Sequence, residues 1–273
     1  MVSFYTNSLI FIEIKNTILS CALVLILLSP AWLYAEDEPI HGSLYQVSAF
    51  NALSAGGYDG LQNVSELSKH GDFGIGTFEA LDGELIMIKG TTYQTKQNGA
   101  VVRAKAFTLV SFAQVTHLGT DRTLTLAGVT DIDQMEKALD ISFPENNVPM
   151  AFKLHGLFSY IQTRSVRAQK KPYPLLVDAT KNLPACERRG IAGTIIGFRF
   201  PSYFQGIAMA GYTFDFISDD RTFGGHLLNA AADHLNVVVS DTPAFFLSLP
   251  VNKPFNQLNL LGSSTTQITV PPK

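Results

Sequence analysis

The chain has 273 residues, of which 46% are hydrophobic and 16% charged, with a formal net charge of −3 and a pI near 6.1. This composition excludes an intrinsically disordered chain, and it lacks the basic footprint of a nucleic-acid-binding protein. The length predicts one or two domains.

The N-terminal segment TILSCALVLILLSPAWLYA, residues 17–35, is apolar and uncharged and follows Lys15. It predicts a signal peptide that is cleaved after Ala35, and therefore an exported protein, periplasmic or secreted. An uncleaved signal anchor is the alternative, since the run approaches the ~20 residues of a membrane-spanning helix. Without residues 1–35 the chain keeps one cysteine, Cys186, which predicts that it has no internal disulfide. Because cleavage removes the apolar segment, no membrane association is expected of the remaining chain.

Two short helices are predicted along the chain. In NVSELSKHG (63–71), Asn63 can cap the first turn and Glu66 occupies the capping-box position. In TDIDQMEKALD (130–140), Ile132, Met135 and Leu139 share one helical face.

Most of the remaining chain predicts strands, because branched and aromatic residues alternate with polar ones. The predicted strands cover residues 84–90, 91–96, 101–112, 150–165, 193–200, 203–218 and 235–241. The segment HLLNAAADHL (226–235) is ambiguous, since its three alanines favour a helix.

These elements predict an α+β fold with two large mixed or antiparallel sheet regions and a few short helices. We interpret residues 36–273 as a single domain that follows the signal peptide. Its two sheet lobes are expected at roughly 41–145 and 146–255, divided where FPENNVP (143–149) breaks the strand pattern, and a C-terminal tail follows them.

Candidate functional residues lie at the ends of predicted strands. Glu84 opens an apolar strand after the hairpin tip Asp82-Gly83, where a carboxylate is costly unless it is paired or functional. Thr213 and Asp215, at positions i and i+2, point to the same face of a strand, and His226 follows a Gly-Gly pair. For Arg164 a solvated strand end is the alternative, and for His226 a structural loop or core histidine.

Five long segments together resemble the α-acetolactate decarboxylase family, over roughly residues 41–255. They are SLYQVSAFNALSAGGYDG, ELSKHGDFGIGTFEALDGELI, GLFSYIQTRSVRAQKKPYPLL, GTIIGFRFPSYFQGIAMAGY and FISDDRTFGGHLL. The resemblance implies an α+β fold with the active site between two sheet-rich parts, a homodimer, and a small keto acid as substrate. The implied reaction removes CO2 from 2-acetolactate to give acetoin.

The resemblance also implies a zinc ion that stabilises an enediolate as a Lewis acid. It assigns the family's catalytic glutamate to Glu84, the arginine that holds the substrate carboxylate to Arg164, and one zinc ligand to His226. The family's other two zinc-binding histidines form an H-x-H pair, which reads Thr213-Phe214-Asp215 in this chain. A glutamate that the family contributes from its C-terminal tail has no counterpart in NQLNLLGSSTTQITVPPK (256–273).

Two main hypotheses remain open from the sequence, beside a smaller third option, a lyase that acts on a related substrate. In the first, the protein is an active decarboxylase whose metal site consists of Thr213, Asp215 and His226; zinc then binds weakly or is replaced by another divalent ion. In the second, the protein is a non-catalytic relative without metal, which binds a small keto acid or a protein partner.

Overall fold

The computed structural model describes residues 42–260. The predicted signal peptide and the last residues of the C-terminal tail lie outside the described residues. Within that range the fold is α+β and consists mostly of strands, as the sequence predicts. No helix in the same range is long and apolar enough to cross a membrane.

Eight of the described strands form the first sheet, in the order β14-β1-β7-β3-β4-β5-β6 with β2 paired to β7. Its pairs are antiparallel except that of β1 with β14, which is parallel. The strands are β1 (Ser43–Val47), β2 (Gln62–Asn63), β3 (Phe73–Phe78), β4 (Glu84–Ile88), β5 (Thr91–Thr95), β6 (Val101–Arg103), β7 (Leu109–Thr116) and β14 (Ala244–Ser248).

The other six described strands form the second sheet, in the order β10-β9-β11-β12-β13-β8. An additional pairing of β9 with β13 joins β9, β11, β12 and β13 into a closed ring. The strands are β8 (Arg122–Val129), β9 (Met150–Arg164), β10 (Cys186–Arg188), β11 (Ile191–Phe200), β12 (Gly211–Ser218) and β13 (Gly224–Asp241).

Short helices connect the strands, and both predicted helices are confirmed. Asn63 accepts a hydrogen bond from the Glu66 amide at 2.9 Å, although the helix it caps is only one turn long. In the longer helix, Met135 and Leu139 are buried in the core of the second sheet. The helices are α1 (Phe50–Ser54), α2 (Val64–Leu67), α3 (Ile132–Ser142), α4 (Leu176–Ala179) and α5 (Lys253–Asn256).

A hydrophobic core joins the inner faces of the two sheets. The first sheet contributes Phe73, Ile75 and Ile86, and the second contributes Ile196, Phe198 and Ile217. Alternation along each strand places these residues on the inner faces. The polar residues that share those faces therefore point into the space between the sheets.

The structure corrects the predicted division into lobes at residue 145. Strand β8 already pairs with β13 in the second sheet, and β14 returns to pair with β1 in the first. The chain therefore changes sheet between Thr116 and Arg122 and again between Asp241 and Ala244. The FPENNVP break is the loop that follows α3. It does not separate the two sheets, because α3 connects β8 and β9, which both belong to the second sheet.

Two strand predictions also need correction, and the structure assigns the one segment that was ambiguous. The predicted strand 101–112 is divided between β6 and β7. The predicted strand 203–218 starts inside a short 3-10 turn, Ser202–Phe204, and β12 begins only at Gly211. The ambiguous segment 226–235 lies inside β13, which pairs with β9 and β8. These long-range pairings outweigh the helix propensity of its alanines.

Candidate functional site

Three of the predicted site residues form one row across the second sheet. Asp215 on β12 is opposite His226 on β13, and His226 is opposite Arg164 at the end of β9. The His226 Nδ1 and Asp215 Oδ1 atoms are 3.2 Å apart, which is hydrogen-bonding distance. Asp215 is only 2% exposed, so the row begins inside the protein and ends at the partly accessible Arg164.

The alternation of β12 explains why Asp215 is buried on this face. Phe214 and Phe216 pack into the core of the second sheet, and Ile217 packs into the core between the sheets. Asp215 shares the face of Ile217 and therefore points towards the first sheet. Thr213 lies on the same face two residues away, beyond the part of β12 that pairs with β13.

Glu84 faces this row from the first sheet. It opens β4 on the face that Ile86 contributes to the core between the sheets. Burial and, to a smaller extent, the nearby Asp215 raise the pKa of Glu84 to about 8, while Arg164 and a hydrogen bond from the Val166 amide oppose the shift. These interactions bring Glu84 together with Asp215 and Arg164 in one electrostatic cluster.

The hairpin that carries Glu84 is held by its own polar contacts. The predicted tip residue Gly83 has a φ of 76°, and its carbonyl accepts a hydrogen bond from the Thr77 hydroxyl at 2.8 Å. The Asp82 carboxylate accepts hydrogen bonds from Lys96 at 2.7 Å and from Gln94 at 3.0 Å. These hydrogen bonds attach the hairpin tip to β3 on one side and to the β5 region on the other, and so fix the point at which β4 begins.

The Asp215 carboxyl is also affected by its surroundings. Burial raises its pKa above the ordinary range for aspartate, while the hydrogen bond and the charge of His226 act in the opposite direction. The partly buried Glu84 and the buried Asp215 thus share a site with one permanent cation, Arg164. Such clusters of perturbed acids are typical of functional sites.

The donor set does not fit a catalytic zinc ion. Such an ion normally has three protein ligands, but among residues 42–260 no group of three or more His, Cys, Asp or Glu side chains is placed to hold a metal. Asp215 and His226 are hydrogen-bonded to each other. The hydroxyl of Thr213, the third residue of the predicted metal site, is a poor zinc ligand.

The sequence analysis missed three residues next to this cluster. Thr95 is the cross-strand neighbour of Glu84, Ser165 follows Arg164, and the Val166 amide donates to the Glu84 carboxylate. The local signal for Thr95 was the Lys89-Gly90 pair between two strand patterns; in the structure this pair forms a two-residue turn between β4 and β5, with positive φ at both positions. A turn at that point aligns residue 84 with residue 95.

Cys186, the single cysteine expected after signal removal, is a partly buried free thiol on β10. Its sulfur lies 3.7 Å from the carbonyl oxygen of Gln97, which is in the loop between β5 and β6.

Comparison with known proteins gives consistent results. The family profile for alpha-acetolactate decarboxylase matches residues 44–261. The alpha-acetolactate decarboxylase of Methanosarcina mazei is 38% identical over 217 residues, covering 80% of this chain and 75% of that protein. The enzyme of the same name from Bacillus subtilis is 36% identical over 225 residues, covering 82% of this chain and 88% of that protein.

Solved structures agree with this result. The crystal structure of alpha-acetolactate decarboxylase from Bacillus subtilis strain 168 matches with a TM-score of 0.77 and 36% identity, over 80% of this chain and 93% of that chain. A Staphylococcus aureus protein of unknown function, described as similar to alpha-acetolactate decarboxylase, matches with a TM-score of 0.78 and 29% identity, over 81% of this chain and 97% of that chain.

Proposed function

Because the chain belongs to the α-acetolactate decarboxylase family, a family of carboxy-lyases, we propose that it converts 2-acetolactate to acetoin and CO2 through an enediolate. The observation that carries this proposal is the meeting of Glu84 with Arg164 and Asp215 between the two sheets. A carboxylate-binding cation and a proton-donating acid are two of the groups that this reaction needs.

The chemistry follows from the substrate. Acetolactate carries a keto group next to the carbon that bears the carboxylate, so the electrons of the breaking bond to CO2 flow into that carbonyl. The product of this step is an enediolate, which becomes acetoin when carbon receives a proton. Arg164 is suited to hold the carboxylate before it leaves, since guanidinium and carboxylate form paired hydrogen bonds.

Glu84 is suited to deliver that proton. A carboxyl group with a pKa of about 8 is mostly protonated at neutral pH. The negative charge that develops on the enediolate oxygen would be stabilised by hydrogen-bond donors of the site, which include the Arg164 guanidinium and a ring nitrogen of His226.

Zinc is the cofactor that the resemblance implies, and these residues would hold it weakly. Asp215 and His226 supply one oxygen and one nitrogen ligand, a pair that zinc or a harder divalent ion such as manganese could share with water. Export through the apolar segment 17–35 and a homodimeric state complete the proposal. The first is supported by the sequence and the second by the family.

A non-catalytic relative that binds a small keto acid is the second candidate function. The specific observation in its favour is the donor set, because the His226–Asp215 hydrogen bond uses atoms that a metal ion would need. A protein without metal loses a Lewis acid that contributes several kcal/mol to charge stabilisation. Several powers of ten in rate follow from such a loss.

The test uses the chain from residue 36 onward, dialysed against a chelator and assayed for CO2 release from racemic acetolactate. The assay is run without metal and with added zinc or manganese, and the bound metal is measured on the same samples. We expect turnover that Arg164→Gln lowers by about 100-fold or more. The matched control is Arg167→Gln, since Arg167 is exposed three residues further along and should keep full activity.

The two candidate functions predict different results. Turnover that depends on Arg164 supports the decarboxylase. Absence of turnover under every metal condition, together with calorimetric binding of 2-hydroxy-2-methylpropanoate, contradicts it and supports the non-catalytic relative.

A further inference from the structure

The proposed active site is assembled from two sheets, so its geometry depends on how the sheets are joined at that point. Glu84 belongs to the first sheet, whereas Arg164, Asp215 and His226 belong to the second. Positioning of reacting groups within about 0.5 Å is what an active site requires. A contact that joins the sheets beside these residues therefore has a direct effect on the site.

Three consecutive residues at the end of β9 reach the first sheet. Arg164 interacts electrostatically with Glu84, and the Val166 amide donates a hydrogen bond to the Glu84 carboxylate. Between them, the Ser165 hydroxyl lies 2.9 Å from the Thr95 hydroxyl. Thr95 is the cross-strand neighbour of Glu84, and Ser165 is the chain neighbour of Arg164. The hydrogen bond therefore joins a residue next to Glu84 to a residue next to Arg164.

The two hydroxyl groups are fully enclosed. Thr95 is 0% and Ser165 is 1% exposed. Each hydroxyl would otherwise be a buried polar group without a partner, which proteins avoid because its desolvation is not compensated. The hydrogen bond between them therefore has a strong tendency to stay formed.

The Gly-Gly pair before His226 leaves the space that this contact occupies. A Cβ on Gly224 would lie 3.0 Å from the Thr95 methyl group, and a Cβ on Gly225 would lie 2.9 Å from the Ser165 hydroxyl oxygen. Gly225 also has a φ of 147°, which favours glycine. The FGGH motif thus packs against both hydroxyl-bearing residues and then presents His226 to the site.

We propose that the Thr95–Ser165 hydrogen bond is an intersheet clamp that fixes the Glu84 carboxyl relative to Arg164 and His226. Thr95 and Ser165 are thereby positioning residues of the proposed reaction, and the inference rests on that proposed function. Neither hydroxyl takes part in bond making or breaking. Their role is to hold the proton donor and the carboxylate-binding cation at a fixed separation.

Loss of the clamp should have a local effect, because the hairpin of β5 and β6, which carries Thr95, has a second attachment to the second sheet. The Gly224 amide donates to the Gly99 carbonyl at 3.0 Å, and Ala100 forms a bridge with Phe223. The sheets therefore stay docked when one hydroxyl is removed. What changes is the freedom of β5 and of Glu84 beside it.

The test compares Thr95→Val with Thr95→Ser, which keeps the hydroxyl, and with Thr242→Val. Thr242 is a matched control, since it is also 0% exposed and its hydroxyl donates to the Pro149 carbonyl at 2.8 Å, on a part of the fold that does not contact the site. We expect Thr95→Val to lower kcat by about 10- to 100-fold with a smaller change in KM. Thr95→Ser should recover most of kcat, and Thr242→Val should keep it.

Crystal structures of the same variants give a readout that does not depend on activity. In Thr95→Val the separation between the Glu84 carboxyl and the Arg164 guanidinium should change by more than about 0.5 Å, while in Thr242→Val it should not. An unchanged separation overturns the clamp, and so does a kcat equal to that of the unsubstituted protein. If the unsubstituted protein has no turnover, the proposed function fails, and the measured separation alone decides about the clamp.

Discussion

Replacement of Thr213 and Asp215 by histidine should convert this site into a tight zinc site. The structure supports the required geometry, because Asp215 is the direct cross-strand partner of His226. Its carboxyl oxygen lies 3.2 Å from the His226 ring nitrogen. In a tetrahedral zinc site with Zn–N distances of 2.0–2.1 Å, two ligand atoms are about 3.3 Å apart. The positions 215 and 226 are therefore already at a ligand-pair separation.

The magnitude follows from the change in ligands. The present donor set offers zinc one imidazole and one carboxylate, and the double variant Thr213→His with Asp215→His offers three imidazoles. Groups that only support metal ligands change affinity by about 10- to 100-fold. Two new direct ligands should therefore lower the zinc Kd by more than about 100-fold.

The assay measures zinc stoichiometry after dialysis and zinc affinity by competition with a chelator. The control adds His226→Ala to the double variant, which should remove the gain because only two imidazoles remain. Equal zinc affinity in the double variant and the unsubstituted chain would refute the placement of these side chains on one face. A gain that survives His226→Ala would refute it as well, since the new histidines would then bind zinc elsewhere.

Two further predictions concern single residues of the first sheet. If Glu84 acts as the proton donor, its protonated form is the active one, so kcat/KM should fall as the pH rises through about 8, the pKa of its carboxyl group. A profile that stays flat from pH 6 to 9 would argue against this role. Thr92→Val should raise the free energy of unfolding by about 1 kcal/mol in urea titrations, because the Thr92 hydroxyl is buried without a hydrogen-bond partner among the described residues. Thr116→Val is its control and should be destabilising, since that hydroxyl donates to the Ser43 carbonyl at 2.7 Å; a loss of stability in Thr92→Val would contradict the reasoning.

Local patterns in the sequence predicted most of the strands and two of the five described helices, because these depend on neighbouring residues. The cap of α2 by Asn63 and the buried face of α3 are of this kind. The sheet to which each strand belongs could not be predicted from the sequence, since it depends on pairings between distant segments. No local signal shows that β14 pairs with β1, or that β8 joins the sheet of β13.

The same distinction applies to the site. Alternation along β12 places Thr213 and Asp215 on one face, and the structure agrees on that point. Of these two residues, Asp215 is paired with His226 and Thr213 is not, because the short β12–β13 pairing includes Asp215 and ends before Thr213. The contact between Ser165 and Thr95 gave no signal in the sequence, because the two residues are 70 positions apart and meet only when the two sheets pack together.

A carboxylate at position 215, where the family resemblance implies an imidazole, changes the charge balance of the whole site. Asp215 raises the pKa of Glu84 across the space between the sheets, so it helps to keep the proton that Glu84 would deliver. A divalent cation bound beside Asp215 would have the opposite effect, since a nearby positive charge favours the ionised form of a carboxyl group. Proton donation by Glu84 and cation binding at Asp215 therefore oppose each other in this chain. It follows that added metal should shift the pH dependence of activity towards lower pH, and that metal content and pH profile have to be measured on the same sample to separate the two effects.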